Sequence, residues 1–494
     1  MQDLLDRLEN SIWIVVPLLI VAAGLRFHDL DLQSLWFDEL MTWTRSDQPT
    51  FAAMIASVRE DVWPPGHPMA AFVWMKAVGS SEFLLRYPAA LAGVLFVAAI
   101  YRLGRDLLGG RGGLYAALLA AVVQVTIYYS QEARPYAALL LYTTLSMLFW
   151  LRIMRALHRD ERPNPVALVG YALTALLILY YNYFGSLLVA LQGIGALAWH
   201  IRQPRRWPAF FALYAVIAVG YLPWLPETLR DLQRDTYFLT STQSVIVELL
   251  TYFHFLLNMR PPWVDAMNIL FGVVVGVELW RALRLKEEVR WDVWAILLLW
   301  LLLPFAITYG YSTAANKSLL VNRYLLIGAP AYYLLLAWMA GRLPLPRGAV
   351  TGVMAAAGLV LVYHLVYGWD YYNRVTKAQF REAAALVVET DPDLTGDSLI
   401  IGFTGHPNTE THFDYYFEQM GSARRVQAAA GWATDAGPLA ALVAEEKPDY
   451  VWLVTAFTPP ADEVLAALDE SHDPVRQEAY YSAWVWLWEA EEVP

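Results

Sequence analysis

Leu84-Leu-Arg-Tyr-Pro-Ala-Ala-Leu-Ala-Gly-Val-Leu-Phe-Val-Ala-Ala-Ile-Tyr-Arg-Leu103 is apolar throughout its interior and carries its arginines close to its two ends. A helix of about twenty such residues matches the hydrocarbon core of a bilayer, roughly 30 Å thick. Similar segments recur on both sides of it, near 11–26, 112–129, 136–151, 166–182, 184–201, 209–226, 264–283, 292–310, 323–341 and 349–368. The composition agrees: 58% hydrophobic and only 16% charged residues are too apolar a balance for an ordinary soluble domain. The fold class expected is a polytopic α-helical membrane protein with about eleven transmembrane helices, occupying residues 1–370.

The connecting segments fall into two kinds. Gaps holding Arg102, Arg105 and Arg111, then Arg152, Arg155, Arg159 and Arg162, then Arg202, Arg205 and Arg206, alternate with gaps poor in base, and Arg281, Arg284, Arg342 and Arg347 continue the series. Basic loops stay in the cytoplasm. The amino terminus is therefore expected inside, behind a first span that no small-residue cleavage site closes. The loops 27–83, 129–136, 181–183, 227–263 and 310–322 then share the outer face of the plasma membrane, where function is to be sought. The 27–83 loop is too long for a simple connection and should hold amphipathic helices such as Phe51 to Arg59. Residues 240–260 also carry a helical apolar pattern, as either a surface or a partly inserted helix.

Within the first outer loop, Asp38 and Glu39 lie together between Trp36 and Trp43. Adjacent carboxylates at a membrane surface either face water or serve a substrate presented from lipid. There is no cysteine, so disulfides and thiolate metal sites are excluded. The net charge of -11 is concentrated late in the chain, where after residue 373 acids outnumber bases roughly three to one, and a nucleic-acid partner is not expected.

Four motifs occur in order: Trp36-Phe37-Asp38-Glu39, Asp61-Val-Trp63-Pro64-Pro65-Gly66-His67-Pro68, Ser81-Glu82-Phe-Leu-Leu-Arg86-Tyr-Pro88, and Tyr128-Tyr-Ser130-Gln131-Glu132-Ala-Arg134-Pro-Tyr136. In series they resemble the bacterial members of the dolichyl-phosphate-mannose protein mannosyltransferase family, membrane glycosyltransferases of the GT-C class related to the lipid A aminoarabinose transferases. The first 200 residues or so resemble the family well, and the remainder loosely, through Asn322-Arg323-Tyr324.

The resemblance implies a polyprenyl-phosphate sugar donor, a lipid, glycan or protein acceptor and a site on the outer side of the bilayer. Such a transfer needs a base for the acceptor hydroxyl and positive charge for the departing phosphate. Asp38 is the candidate base. Glu39 is a candidate for binding sugar, acceptor or a divalent ion, and Glu132 matches the second acidic position, against the alternative of an ion pair with Arg134. Arg134, Arg323 and Arg86 are the candidate phosphate ligands, with Tyr136 beside them, because a guanidinium forks onto phosphate oxygens and keeps its charge. Snorkelling to the headgroups competes for Arg86. Lys317 is a lesser helper or a solvated loop residue.

Two departures from the family pattern bear on metal use. Relatives often read His-Pro-Pro-Leu-Tyr where this chain has Trp63-Pro64-Pro65-Gly66-His67, and His67 is a substitute ligand for phosphate or metal only if the loop aims it so. Asn182 stands where relatives often carry histidine. A divalent cation, with Asp38, Glu132 and His67 as the possible ligands, is left open.

From about residue 371 the apolar runs shorten. Ser398 to Phe403, Asp449 to Val454 and Ala483 to Trp488 read as strands, and Lys377 to Glu389, Thr409 to Met420, Pro438 to Glu446 and Asp462 to Leu468 as helices. The expectation is a small extracytoplasmic α/β domain over 371–494 that covers the active site or presents the acceptor. Gly402 to Pro407 reads as a plain turn or a ligand-facing loop. The function that follows is inverting sugar transfer from a polyprenyl monophosphate. Its alternatives are a transporter or flippase of polyprenyl-linked glycans, which would place ionisable groups at mid-membrane in two related halves, and a membrane scaffold.

Overall fold

The computed structural model describes residues 12–200, 205, 207–234, 243–258, 265, 268–269, 272–273, 276–277, 291–315, 319–343, 345–394, 396–402, 409–428 and 436–490. Lys317, the 403–408 loop and most of the expected 264–283 span lie outside them.

Six described helical segments are long and apolar enough to cross a membrane: Glu82–Val122, Tyr136–His158, Trp207–Asp231, Trp294–Ala315, Asn322–Arg342 and Arg347–Gly368. Trp13–Phe27, Pro165–Tyr181, Gly185–Trp199 and Val245–Leu257 are shorter apolar helices. The chain is a multi-pass membrane protein. The amphipathic Phe51–Arg59 helix forms as expected, with the Thr50 hydroxyl accepting from the Ala53 N–H at 3.1 Å.

Two helical arms form where the spans at 84–103 and 112–129 were expected, and they meet at Gly109, with φ 85° and ψ 176°, within the segment Glu82–Val122. Small residues explain the compact join. A Cβ on Gly113 would stand 2.6 Å from the Tyr101 carbonyl oxygen, and one on Gly104 would stand 2.8 Å from the Gly113 Cα. The two arms therefore meet backbone to backbone, and a glycine at positive φ turns the chain between them.

The chain divides into two compact units: one comprising residues through His28, Pro49–Ala70 and Arg86–Tyr371, the other Asp29–Gln48, Ala71–Leu85 and the chain from Tyr372 onward. In the first, Tyr136–His158 and the Ala329–Arg342 helix bury residues around most of their circumference and form the centre. The Pro165–Tyr181, Trp207–Tyr221 and Arg347–Tyr363 helices expose Val166, Leu173, Val219 and Leu359. Apolar side chains exposed in this way suit contact with lipid tails.

Arg26, at the end of the first span, is fully buried and uses all five of its donors inside this unit. It donates to the Ala22, Ala120 and Ala121 carbonyls and to the Thr126 and Ser130 hydroxyls, at 2.8–3.2 Å. Two of these carbonyls belong to the last turn of the Glu82–Val122 helix, whose final C=O groups have no partner within the helix.

The second unit is built on a five-stranded sheet in the order β2-β1-β3-β5-β4, where β1 is Ser398–Gly402, β2 Gln427–Ala428, β3 Tyr450–Ala456, β4 His472–Tyr480 and β5 Ala483–Ala490. The pairs β1–β2 and β1–β3 are parallel, and β3–β5 and β5–β4 antiparallel. Leu399, Ile401, Val451, Leu453 and Trp486 face Leu439, Val443, Val464 and Leu468 of the Gly437–Glu446 and Asp462–Asp469 helices. Phe380–Thr390 and Thr409–Gln419 pack on the sheet as well, and β3 is buried from Val451 through Ala456.

Candidate active site

The candidate residues occupy two constellations, one in each unit. In the first unit, the Trp63-Pro64-Pro65-Gly66-His67 loop meets the Ser130 to Pro135 turn and the beginning of the Asn322–Gly328 helical segment. Gly66 is required by the approach of the loop to the Pro165–Tyr181 helix, since a Cβ there would lie 2.5 Å from the Tyr180 carbonyl oxygen. This explains why a larger residue is absent from that motif position. Asn182, the other departure, accepts the Phe184 N–H on its side-chain oxygen at 2.8 Å and shapes the turn that follows.

His67 Nε2 lies 3.0 Å from the Ala133 carbonyl oxygen. A carbonyl only accepts, so Nε2 holds the proton and Nδ1 carries the lone pair. Burial, and after it the Arg134 cation, pull this imidazole down to about 4, with the bond to Ala133 offsetting part of the effect. His67 is therefore neutral at physiological pH.

Arg134 stands with its guanidinium 5.6 Å from the centre of the Trp63 ring. Trp63 meets Tyr324 edge-on at 5.4 Å, and Phe184 stacks on Tyr324 at 5.0 Å. Arg323 lies 5.7 Å over the same Tyr324 ring. The Tyr324 phenol feels the hydroxyl of Tyr136 and the charges of both Arg323 and Arg134. Tyr136 is fully buried at the start of its helix and packs on Tyr129 at 4.8 Å. Glu132 is also fully buried, and its charge is the largest electrostatic influence on the Tyr128 phenol. Arg86, one turn into its helix, is 1% exposed, so protein rather than water surrounds it. Two guanidiniums, a tyrosine hydroxyl and aromatic faces converging beside a helix start make an environment for a phosphate that no ordinary pH switches off.

In the second unit, Asp38 and Glu39 occupy the first turn of the Phe37–Ser46 helix, where negative charge is favoured. Glu39 is fully buried. Its Oε2 accepts from Lys377 Nζ at 2.9 Å and from the Trp36 N–H at 3.4 Å. The neighbouring Asp38 is half-buried. Its helix is fixed by Phe37 against His412 and Phe457 and by Trp43 against Tyr415 at 5.0 Å. Upstream, the Leu35 N–H donates to the Tyr416 hydroxyl, which donates to Glu82, and Arg381 pairs with the same carboxylate. Burial, then the Glu82 charge, hold the Tyr416 phenol well above its ordinary value, so it stays a donor.

Among the described residues no group of three or more His, Cys, Asp or Glu side chains is placed to hold a metal ion. His67 in particular shares its surroundings with the Arg134 cation, which opposes a second positive charge. Lys377 and Arg26 were not singled out in the sequence. A lone lysine or arginine gives no sign of a partner carboxylate or carbonyl far away in the chain.

Residues 63–228 match the model of the dolichyl-phosphate-mannose-protein mannosyltransferase family. The fold is shared with the crystal structure of ArnT from Cupriavidus metallidurans in the apo state, with a TM-score of 0.61 and 15% identity over 96% of this chain and 97% of that one. The same protein bound to undecaprenyl phosphate gives a TM-score of 0.58 at 14% identity, over 97% and 98%. Arabinofuranosyltransferase AftD from Mycobacteria matches with a TM-score of 0.51 at 17% identity, over 96% of this chain and 40% of that one. No curated protein matches the sequence. The resemblance read from the motifs is thus borne out by a family match over residues 63–228, and the fold shared with ArnT extends over nearly all of the chain.

Proposed function

From that family match and that fold we propose that the chain is a glycosyltransferase of the GT-C class, taking its sugar from a polyprenyl-phosphate donor and delivering it to a hydroxyl of a lipid, glycan or protein on the outer face of the plasma membrane. The observation that carries the reading is the pair of guanidiniums on two adjoining rings, Arg134 over Trp63 and Arg323 over Tyr324, with the rings edge-on at 5.4 Å. It suits a lipid phosphate, and the ArnT structure with undecaprenyl phosphate offers a relative that binds one.

In this reading the Asp38 carboxylate takes the acceptor hydroxyl proton as the oxygen attacks the anomeric carbon. The bond from that carbon to the phosphate oxygen breaks, its electron pair leaving with the polyprenyl phosphate, and the anomeric configuration inverts. Arg134 and Arg323 stabilise the charge that builds on the departing phosphate, with Arg86 as a further candidate. Glu132, fully buried among tyrosines, orients the acceptor. Glu39, engaged by Lys377 and Trp36, holds the helix that presents Asp38. His67, neutral with a lone pair on Nδ1, accepts a hydrogen bond from donor or acceptor.

The test is turnover of a radiolabelled polyprenyl-phosphate sugar mixture by protein in lipid, wild type against Asp38→Asn, with and without chelator. Loss of a general base costs on the order of 10²–10⁴-fold in rate. Such a loss with donor binding retained supports the reading, and a chelator effect would bring in a metal. Wild-type protein that binds donor but consumes none across a broad acceptor set would sink it.

A further inference from the structure

The turn at Gly109 lines a cavity in the first unit, about 770 Å³ in volume. That is within the roughly 300–1,000 Å³ range of sites that enclose a small-molecule-sized group. Three arginines from separate segments line it: Arg111 after the turn, Arg342 at the end of the Ala329–Arg342 helix, and Arg347 at the start of the next. A carboxylate, Asp106, is also in the wall, but its charge is already matched. Arg152 donates to it through Nε and Nη2 at 3.0 and 2.9 Å, and Arg102 Nε lies 3.4 Å from its other oxygen. Arg111, Arg342 and Arg347 add three guanidiniums to the wall beyond those that Asp106 engages.

The rest of the lining is aromatic and apolar. Trp294 and Trp338 meet edge to face at 4.0 Å, and the Arg342 guanidinium lies 5.0 Å over the Trp338 ring. Leu345, 47% exposed, and Val350 lead from the cavity to the Arg347–Tyr363 helix, which exposes Val353, Leu359 and Val360. A ligand matched to these features is anionic at one end and apolar along its body. Basic pockets between membrane helices at a tryptophan level suit such headgroups.

We infer that this cavity binds the phosphate headgroup of an anionic membrane phospholipid, whose acyl chains lie along the Arg347–Tyr363 helix. It is separate from the candidate donor site. Arg323 and Arg342 stand near opposite ends of the Asn322–Arg342 segment, roughly 30 Å apart by the rise of its 3₁₀ and α portions.

The experiment is thermal unfolding of the purified full chain in neutral detergent, titrated with phosphatidylglycerol, with phosphatidylcholine, or with inorganic phosphate. Phosphatidylglycerol raises the wild-type Tm, and the other two do not. The triple variant Arg111→Gln/Arg342→Gln/Arg347→Gln needs at least about tenfold more phosphatidylglycerol for the same shift, the size expected for lost charge-assisted contacts. Arg347→Gln alone, at an exposed helix start where folding is not at risk, needs several-fold more. Arg134→Gln keeps the wild-type response, which separates this lipid from the donor. Equal responses to phosphatidylglycerol and phosphatidylcholine, or variants that titrate like wild type, overturn the inference. Inorganic phosphate reproducing the shift would make it a site for free anions and overturn the lipid.

Discussion

Glu39 and Lys377, 338 positions apart in the chain, form an ion pair of 2.9 Å in which the carboxylate is wholly buried and the lysine 8% exposed. The residue directly before Glu39 is the candidate base. The helix carrying Asp38 belongs to the same compact unit as the α/β sheet, so the candidate base is held by the sheet-containing unit.

Lys377→Met therefore leaves a buried carboxylate without its partner. Breaking one side of a buried pair costs about 3–5 kcal/mol. The expected result is a lower Tm for the sheet-containing unit and a drop in kcat at little change in donor binding. Adding Glu39→Leu to Lys377→Met should restore much of the stability, because two apolar groups replace one stranded charge. If the double variant is no more stable than Lys377→Met, the pair is not what holds the helix.

Arg134 lies over Trp63 and Arg323 over Tyr324, two rings from different segments that meet edge-on. Replacing either by Gln removes one charge-assisted contact to the donor phosphate, worth roughly 1.5–3 kcal/mol, or about 10- to 150-fold in affinity. Lysine at position 134 should rescue little, since its single point charge neither forks nor stacks as a guanidinium does on Trp63. Equilibrium binding of a labelled polyprenyl phosphate checks both, and wild-type affinity in Arg134→Gln would remove that residue from the donor site.

His67 gives a prediction about pH. In the unfolded chain the imidazole has its ordinary value of 6.5, and in the folded protein about 4. The unfolded state thus takes up the proton first as pH falls. The His67 contribution to stability is complete above 6.5 and is lost as pH drops toward 4. Unfolding free energy measured from pH 7 to 4 should fall less steeply for His67→Gln than for wild type. Identical slopes would mean that the folded imidazole titrates normally.

Much of the architecture can be read from the sequence because it is written in local patterns. The apolar runs announce the spans, and Phe51–Arg59 and the helices near 409–419, 437–446 and 462–469 follow their periodicity closely. Two strands escaped. β2 is two residues long, and β4, His472–Tyr480, is an exposed edge whose polar residues carry no inward face to betray it. Asp38, Glu132 and Arg134 were legible as charges where charge is expensive. Their surroundings were not, because Lys377 reaches Glu39 and Phe184 reaches Tyr324 only through the folded chain. The Arg347–Gly368 segment was read as a span from its apolar run, but the cavity beside it depends on a glycine turn that brings Arg111 into the same wall as Arg342.

Arg26 and Gly93 form a further dependency with a testable size. Two of the five donors of Arg26 satisfy the Ala120 and Ala121 carbonyls at the end of the Glu82–Val122 segment, and Gly93 leaves space for the network. A Cβ at Gly93 would stand 2.1 Å from Ser130 Oγ and 2.7 Å from Arg26 Nε. Gly93→Ala must push both away, and overpacking of this kind costs about 1–3 kcal/mol. Ser130→Ala alone removes one hydroxyl from the network and should cost about 1 kcal/mol. Together the two substitutions should cost less than their sum, because the shortest contact disappears, although the Ser130 Cβ at 2.8 Å keeps the relief partial. Thermal unfolding of the four proteins of this cycle measures the coupling. Additive losses would mean that Gly93 accommodates something other than the Arg26 network.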